Sequence, residues 1–358
     1  MSENKILVGL SGGVDSAVSV KRLLAQGYEP TGLYLDMKIT DTTAPVLIEN
    51  PNGENDDIKS AFQCAQAYGI KLYKYGCASL FDSIVKENFA REYALGRTPN
   101  PCVICNRLVK FQELCKCADM LGCSKIATGH YAKVGMSESG RYYIEKGKDE
   151  KKDQSYMLWN LNQLQLSRCV FPLGDTVKQE SFDEAQKDRL IAAQRGESLD
   201  ICFIGKDDDY KSFIRRRLGE FPSGDFISPD GKVCGQHKGI INYTVGQRKG
   251  LGIALGEPVF VKRIDGIQNK IYLARSGEEY TDTISVSGLN FVEMSETTDF
   301  SGELFVKIRY AATPVIANVS IKGNICNVSF NEPVRAATPG QSAVFYSGDR
   351  VAFGGFIN

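Results

Sequence analysis

Three places in this 358-residue sequence hold residue types that can do chemistry. The first is Gly9-Leu10-Ser11-Gly12-Gly13-Val14-Asp15-Ser16, between a short apolar run and an amphipathic one. Its glycines permit close backbone approach, a helix start offers unpaired N–H groups to an anion, and Ser11 and Ser16 add hydroxyl donors. The segment reads as a phosphate cradle. It lacks the Gly-Lys-Ser/Thr of a P-loop and does not fit the G-x-G-x-x-G of a dinucleotide turn. The second place is Asn100-Pro101-Cys102-Val103-Ile104-Cys105-Asn106. A structural zinc site wants a second cysteine pair or histidines, and Cys115, Cys117 and Cys123 do not make one. Cys115 fits the apolar side of a helix with Leu108, Phe111, Ala118 and Leu121, and Cys117 points elsewhere. A thioredoxin-like pair belongs in a different context. The third place is Asp200-Ile201-Cys202-Phe203-Ile204, which taken alone reads as a buried strand.

These residues need elements to hold them. Lys5 to Leu10 reads as a buried strand, 14–26 as a helix stopped by Gly27, and 31–35 as a strand. A polar loop over 38–56, a helix near 57–68 and a strand from Ile70 to Tyr75 follow. Helices over 80–95 and 106–121 precede a strand from Lys125 to Thr128. Strands alternating with helices predict an α/β fold with a parallel sheet covered on both faces. Leu35 and Gly129-His130 then fall at strand ends, on the edge where open sheets place ligands. Beyond residue 204, Gly and Pro punctuate short strands, with alternation clear in Leu304 to Ile308 and Val315 to Ile321. That predicts a small mixed domain over 205–276 and a β-barrel over 277–358.

Lys plus Arg and Asp plus Glu both number 43, which excludes a uniformly basic nucleic-acid binder but leaves room for a local basic face. Lys151-Lys152, Arg215-Arg216-Arg217 and Arg248-Lys249 are the candidates. No apolar stretch is long enough for a membrane span, and the N-terminus lacks the pattern of an export signal. Eleven cysteines, an odd number without such a signal, fit a reducing cytoplasm with mostly buried thiols and a reactive minority.

The Ser11-to-Ser16 segment resembles the pyrophosphate loop of the ATP pyrophosphatases, which split ATP between its α and β phosphates and adenylate a substrate oxygen. The resemblance then widens. GLSGGVDS, GRTPNPCVICN with Lys110-Phe111 after it, ATGHYA, KDQSYML, FPLG, DICFIG, YTVGQRKGLG, Lys307 to Tyr310 and Pro339-Gly340-Gln341 occur in the order seen in tRNA-specific 2-thiouridylases, the MnmA/TrmU family. It implies a Rossmann-like pyrophosphate-loop domain over 1–204, a central linking domain over 205–276 and a tRNA-binding barrel over 277–358. ATP with Mg2+ would bind Gly9 to Ser16, Leu35 and Gly129, with Asp15 handling the magnesium-bound phosphates. The wobble uridine of tRNAs for Lys, Glu and Gln would meet Asn100, Pro101 and Cys102. His130, Lys152, Asp153, Gln154, Arg309, Tyr310 and Gln341 would contact tRNA.

By the same resemblance Cys202 carries a persulfide from a sulfur-donor protein and Cys105 is the nucleophile, the two ending as a transient disulfide. That needs thiols able to approach to a Cα–Cα distance of about 4.4–6.8 Å, and at least one with a lowered pKa. Arg107, Lys110 and His130 are the electropositive neighbours expected to lower it. The sequence departs from the family where most members have Asn-Pro-Asp, for Cys102 stands at the acid/base position. Three thiols, Cys102, Cys105 and Cys202, then open a route to a 4Fe-4S cluster with one iron left for sulfide. Ser198-Leu199-Asp200 is a second departure. Two other readings are weighed: a synthetase with the same loop that adenylates a small molecule, and a non-catalytic RNA-binding relative. Neither needs the thiols.

Overall fold

Ile6, Leu7 and Val8 have no exposed surface, and the strand that contains them, Lys5–Gly9, lies inside a six-stranded sheet. It pairs in parallel with Glu29–Asp36 on one side and Lys125–Ala127 on the other. Leu72–Gly76 and Cys169–Val170 extend the parallel set outward. Strand order reverses at Lys5–Gly9, so the turns after Gly9 and Ala127 meet at the carboxyl edge. Ile6 and Val8 pack on Ala17, Val18, Ile58 and Ala61 of the helices Val14–Ala25 and Asp56–Ala67. Leu7 packs on the opposite layer, with Phe81, Val85, Val103, Phe111 and Leu114. The computed structural model describes residues 4–38, 41–194, 201–205 and 207–358. Ser198-Leu199-Asp200 lies outside them.

Several sequence expectations are corrected. The stretch 38–56 holds an antiparallel edge strand, Val46–Leu47, too short for alternation to be legible. The second strand continues to Asp36, one residue past Leu35. The helix expected from 106 begins at Pro101, a first-turn position where a missing N–H costs nothing. It passes through a π-helical turn at Asn106–Lys110 and continues as Phe111–Met120. Leu114 sits over Gly9, and one i,i+3 step brings Cys117 inward. Cys117 is therefore the buried thiol and Cys115 is half-buried, the reverse of the expectation.

The chain contains a central domain with a four-stranded sheet, Gly224–Ile227, Val233–His237, Val259–Asp265 and Lys270–Arg275. The helix Tyr210–Leu218 packs Ile214 onto it. The basic run is engaged by partners in the same chain: Arg215 bonds Asn242, the exposed Arg216 pairs with Asp208, and Arg217 bridges to Asp82 and Glu87 of the first domain. Of the three, only Arg216 stays exposed, so the run is not a row of unpaired cations.

Six strands, from Tyr280–Phe291 to Arg350–Ile357, close into a barrel, because the first pairs with both Ile325–Arg335 and the last. Ala317, Val319 and Ile321 point into its core, as their alternation predicted. A hairpin of the first domain, Ala132–Met136 and Tyr142–Lys146, joins the barrel sheet through Arg350 opposite Glu145. Trp159 donates to Ser342 Oγ at 3.0 Å across the same junction, and its indole needs the space a Cβ on Gly354 would take. No helix is long and apolar enough to cross a membrane among the described residues.

Candidate active site

The turn after Gly9 places Gly12 at φ +80° and Gly13 as the residue that caps the following helix. No side chain caps that helix, so its first N–H groups are aimed outward without a protein side-chain acceptor. Ser16 Oγ donates to Gly13 O at 2.9 Å and receives the Ser11 N–H at 3.2 Å, which fixes the curl of the turn. Gly129 packs on the helix start from across the sheet: a Cβ there would lie 2.7 Å from the Asp15 carbonyl carbon. Leu35 is half-buried beside the same edge. Asp15 is already occupied. Lys178 Nζ lies 2.7 and 2.8 Å from its two oxygens, and the Tyr131 hydroxyl donates to it at 2.7 Å.

Cys102 and Cys105 stand on one short helix, Pro101–Cys105, three residues apart and therefore on one side of it. Cys102 is exposed and Cys105 is buried. Their helix is held from behind. Asn106 donates to Met157 O at 2.9 Å, and Asn100 bonds the Met157 sulfur at 3.6 Å. From the barrel, Gln341 donates to Thr98 O at 2.8 Å and to Pro99 O at 3.2 Å. Cys202 is not on a strand. Ile204 N–H donates to Ile201 O at 2.9 Å, closing a turn with Cys202 and Phe203 at its tip. Phe203 is wedged between Phe81, Phe89 and Phe213, with ring centroids 5.2–5.8 Å away, and the neighbouring Cys202 is exposed.

Electrostatics bring the three thiols into one neighbourhood. Burial pushes Cys105 up to about 11, Lys110 opposes that, and the thiols of Cys202 and Cys102 add to it. Although the residue is exposed, desolvation of its thiol raises Cys202 as well, Cys102 raises it further, and Lys110 and Lys38 draw it down. Lys110 is thus the cation shared by both thiols, placed by the π-helical turn that follows Cys105. The other two expected neighbours are not. Arg107 is turned onto Asn160 and Asn290, at 2.7 and 3.2 Å. His130 is held neutral, well below the usual imidazole range, by burial and by Lys110. Its Nδ1 lies 2.7 Å from Thr128 Oγ1, and its ring sits beside Phe111 and Phe171.

A thiol with its pKa near 11 reacts slowly at neutral pH, because the thiolate is the nucleophile. Alkylation of Cys105 by iodoacetamide is expected to accelerate about tenfold per pH unit between pH 7 and 10. Lys110→Ala is expected to slow it further at each pH, as read by peptide mass spectrometry.

The residues expected at tRNA divide. Asp153 is buried and accepts from Gly147 N, Ser155 N and Ser155 Oγ at 2.8–3.0 Å, and Gln154 accepts from Tyr131 N at 2.9 Å. Both shape the loop that presents Lys152, which is half-buried. Arg309 is half-buried against Ala336 O and Thr338. Tyr310 is 37 % exposed, with the Lys307 ammonium 5.5 Å from its ring centre. Among the described residues no three His, Cys, Asp or Glu side chains are grouped to hold a metal ion, and all eleven cysteines are free.

Residues 4–206 match the family model described as the tRNA methyl transferase HUP domain. Residues 211–275 match the tRNA methyl transferase PRC-barrel domain, and 281–357 the aminomethyltransferase beta-barrel domain. A protein of Carboxydothermus hydrogenoformans named tRNA-specific 2-thiouridylase MnmA is 42% identical, over 100% of this chain and 98% of its own. Its namesake in Acetivibrio thermocellus is 39% identical, over 100% of both chains. Another, in Clostridium acetobutylicum, is 40% identical over 99% of both.

Proposed function

The chain belongs to the tRNA-specific 2-thiouridylase MnmA family, and from that premise we propose how its residues replace a uridine oxygen with sulfur. MgATP binds with its phosphates on the turn Gly9 to Ser16 and its adenine by Leu35 and Gly129. The wobble uridine of a tRNA for Lys, Glu or Gln is turned out of its stack toward Asn100, Pro101 and Cys102, as chemistry on a stacked base requires. Uracil O2 attacks the α-phosphorus, pyrophosphate leaves, and O2 becomes part of a good leaving group, AMP.

Cys202 receives a persulfide sulfur from a cysteine desulfurase or relay protein, for which its exposed turn is accessible. Either the terminal sulfur attacks C2 and the Cys105 thiolate then attacks Cys202 Sγ, breaking the S–S bond so that the sulfur stays on the uridine, or Cys105 attacks Cys202 Sγ first and releases hydrosulfide that attacks C2. AMP departs, 2-thiouridine forms, and Cys105 and Cys202 are left as a disulfide to be reduced. Contrary to the expectation of a lowered thiol, burial holds both cysteines above the usual thiol range, and Lys110, which opposes this at both, serves either route. Lys152, Arg309, Tyr310 and Gln341 line the tRNA side in this reading. Gln341 also ties the barrel to the backbone before the cysteine helix. Cys102 takes the position of the usual acid.

Among the described residues Cys102, Cys105 and Cys202 are not grouped as ligands of a 4Fe-4S cluster. No step is routed through it. The observation that carries the reading is the convergence of Cys105, Cys202 and Lys110. Lys110 also acts on His130, next to the Gly129 that packs on the glycine turn.

Incubating the protein with unmodified tRNA, MgATP and a persulfide source is expected to give tRNA retarded on a mercury-containing gel, with one pyrophosphate released per thiolated uridine. Retardation without ATP, or pyrophosphate release indifferent to tRNA, overturns the reading.

A further inference from the structure

The glycine turn has no lysine in its sequence, yet a cation stands over it. Lys178 opens the helix Lys178–Lys187, and its Nζ grips both oxygens of Asp15 at 2.7 and 2.8 Å. The grip is built rather than incidental. The Lys178 backbone N–H donates to Asp149 Oδ2 at 2.9 Å. The Tyr131 hydroxyl bonds Asp15 Oδ1 at 2.7 Å and Ser181 Oγ at 2.9 Å, and the ammonium lies 5.7 Å from the Tyr131 ring centre. The lysine side chain is only 19% exposed.

A bare carboxylate in the first turn of this helix would repel a polyphosphate and offset the attraction of the helix N-terminus. Paired with Lys178, it does not. A lysine is also a point charge with three donors on a flexible stem, able to keep one anion and reach a second. We infer that Lys178 is the phosphate cation of this enzyme, seated on Asp15 when the site is empty and shared between Asp15 and the β and γ phosphates when MgATP binds.

In the adenylation step the new bond joins uracil O2 to the α-phosphorus, and the bond from the α-phosphorus to the bridging oxygen breaks. Pyrophosphate leaves with that electron pair. Lys178 stabilises the charge gathering there, and no proton passes through it. The inference rests on the adenylating reading above, and the binding arm of its test does not depend on turnover.

The test compares α,β-methylene-ATP with AMP, both with Mg2+, by titration calorimetry on wild type, Lys178→Ala, Lys178→Gln and Lys178→Arg. Loss of one charge-assisted contact to phosphate corresponds to about a tenfold to hundredfold weaker triphosphate analogue. AMP, which lacks the outer phosphates, should bind within about twofold of wild type if the lysine acts only on them. Lys178→Arg should recover most of the difference. A lysine that merely straps two helices together would change both ligands alike or neither, and either result overturns the inference. If Lys178→Ala fails to fold, Lys178→Gln is read by the same ratio. Steady-state pyrophosphate release should show a lower kcat and a higher KM for ATP, with KM for tRNA unchanged. A wild type that binds the analogue tightly yet releases no pyrophosphate with tRNA would sink the adenylating reading and leave the Lys178 comparison standing.

Discussion

Cys202→Ala is expected to abolish tRNA thiolation, a fall of at least about 10⁴-fold, because removing a covalent nucleophile leaves only binding and orientation. Pyrophosphate release should not vanish with it. The glycine turn is intact in this variant, so one equivalent per enzyme should appear as a burst and then stop at the adenylated tRNA. Alanine fits the site without strain: position 202 is exposed at the tip of a turn, and the turn is anchored by Phe203, not by the cysteine. Cys202 and Cys102 are both exposed thiols in the same neighbourhood, so Cys102→Ala is the control. It should still accept radioactive sulfur from the donor, whereas Cys202→Ala should not. Thiolation that survives in Cys202→Ala would transfer the persulfide role to another thiol. Cys105→Ala should still be loaded with persulfide, since its buried thiol is the less accessible one, but should not form the intramolecular disulfide.

The glycine turn was legible because every residue that shapes it is contiguous, and the apolar strand before it leaves little choice of partner structure. Two barrel strands, Asp299–Lys307 and Val315–Lys322, were legible through alternation, since each has one dry face; Ser342–Ser347 is buried on both faces and shows none. What could not be read is what depends on distant pairs. Lys178 meets Asp15 across 163 positions, and nothing local in its surroundings signals an anion. The hairpin Ala132–Met136 and Tyr142–Lys146 buries Ala132 and Ile144 in the first domain's core, but its pairing with the barrel, Glu145 opposite Arg350, spans two hundred positions and has no local signal. Arg215, Arg216 and Arg217 look like a phosphate-binding run until their partners Asn242, Asp208, Asp82 and Glu87 are found. The π-helical turn after Cys105 is a local shift in hydrogen bonding, and no residue type marks it. It nonetheless determines where Lys110 stands relative to both thiols.

The two central glycines of the turn should separate folding from chemistry. Gly12 has φ +80°, and a Cβ there would lie 2.3 Å from the carbonyl oxygen of Asp57. That oxygen belongs to the first turn of the helix Asp56–Ala67, capped by Asn55 and tied back by Ser60, which donates to Gly12 O at 2.8 Å. Neither backbone can yield without opening the sheet edge. Alanine at 12 therefore combines left-handed strain of about 1–3 kcal/mol with a backbone clash. The expected result is a loss of about 3 kcal/mol or more in stability, measured by denaturant unfolding, and no pyrophosphate release. Gly13 is different. Its φ is −93°, and a Cβ there would meet only Ser11 Oγ, at 3.5 Å. Gly13→Ala should stay within about 1 kcal/mol of wild type, as expected for a helix-capping position. It should nevertheless raise KM for ATP, because the added methyl stands where phosphate oxygens must approach the helix N–H groups. Gly13→Ala with unchanged ATP kinetics would mean that the phosphates do not rest on this turn, however well Gly12 explains its fold.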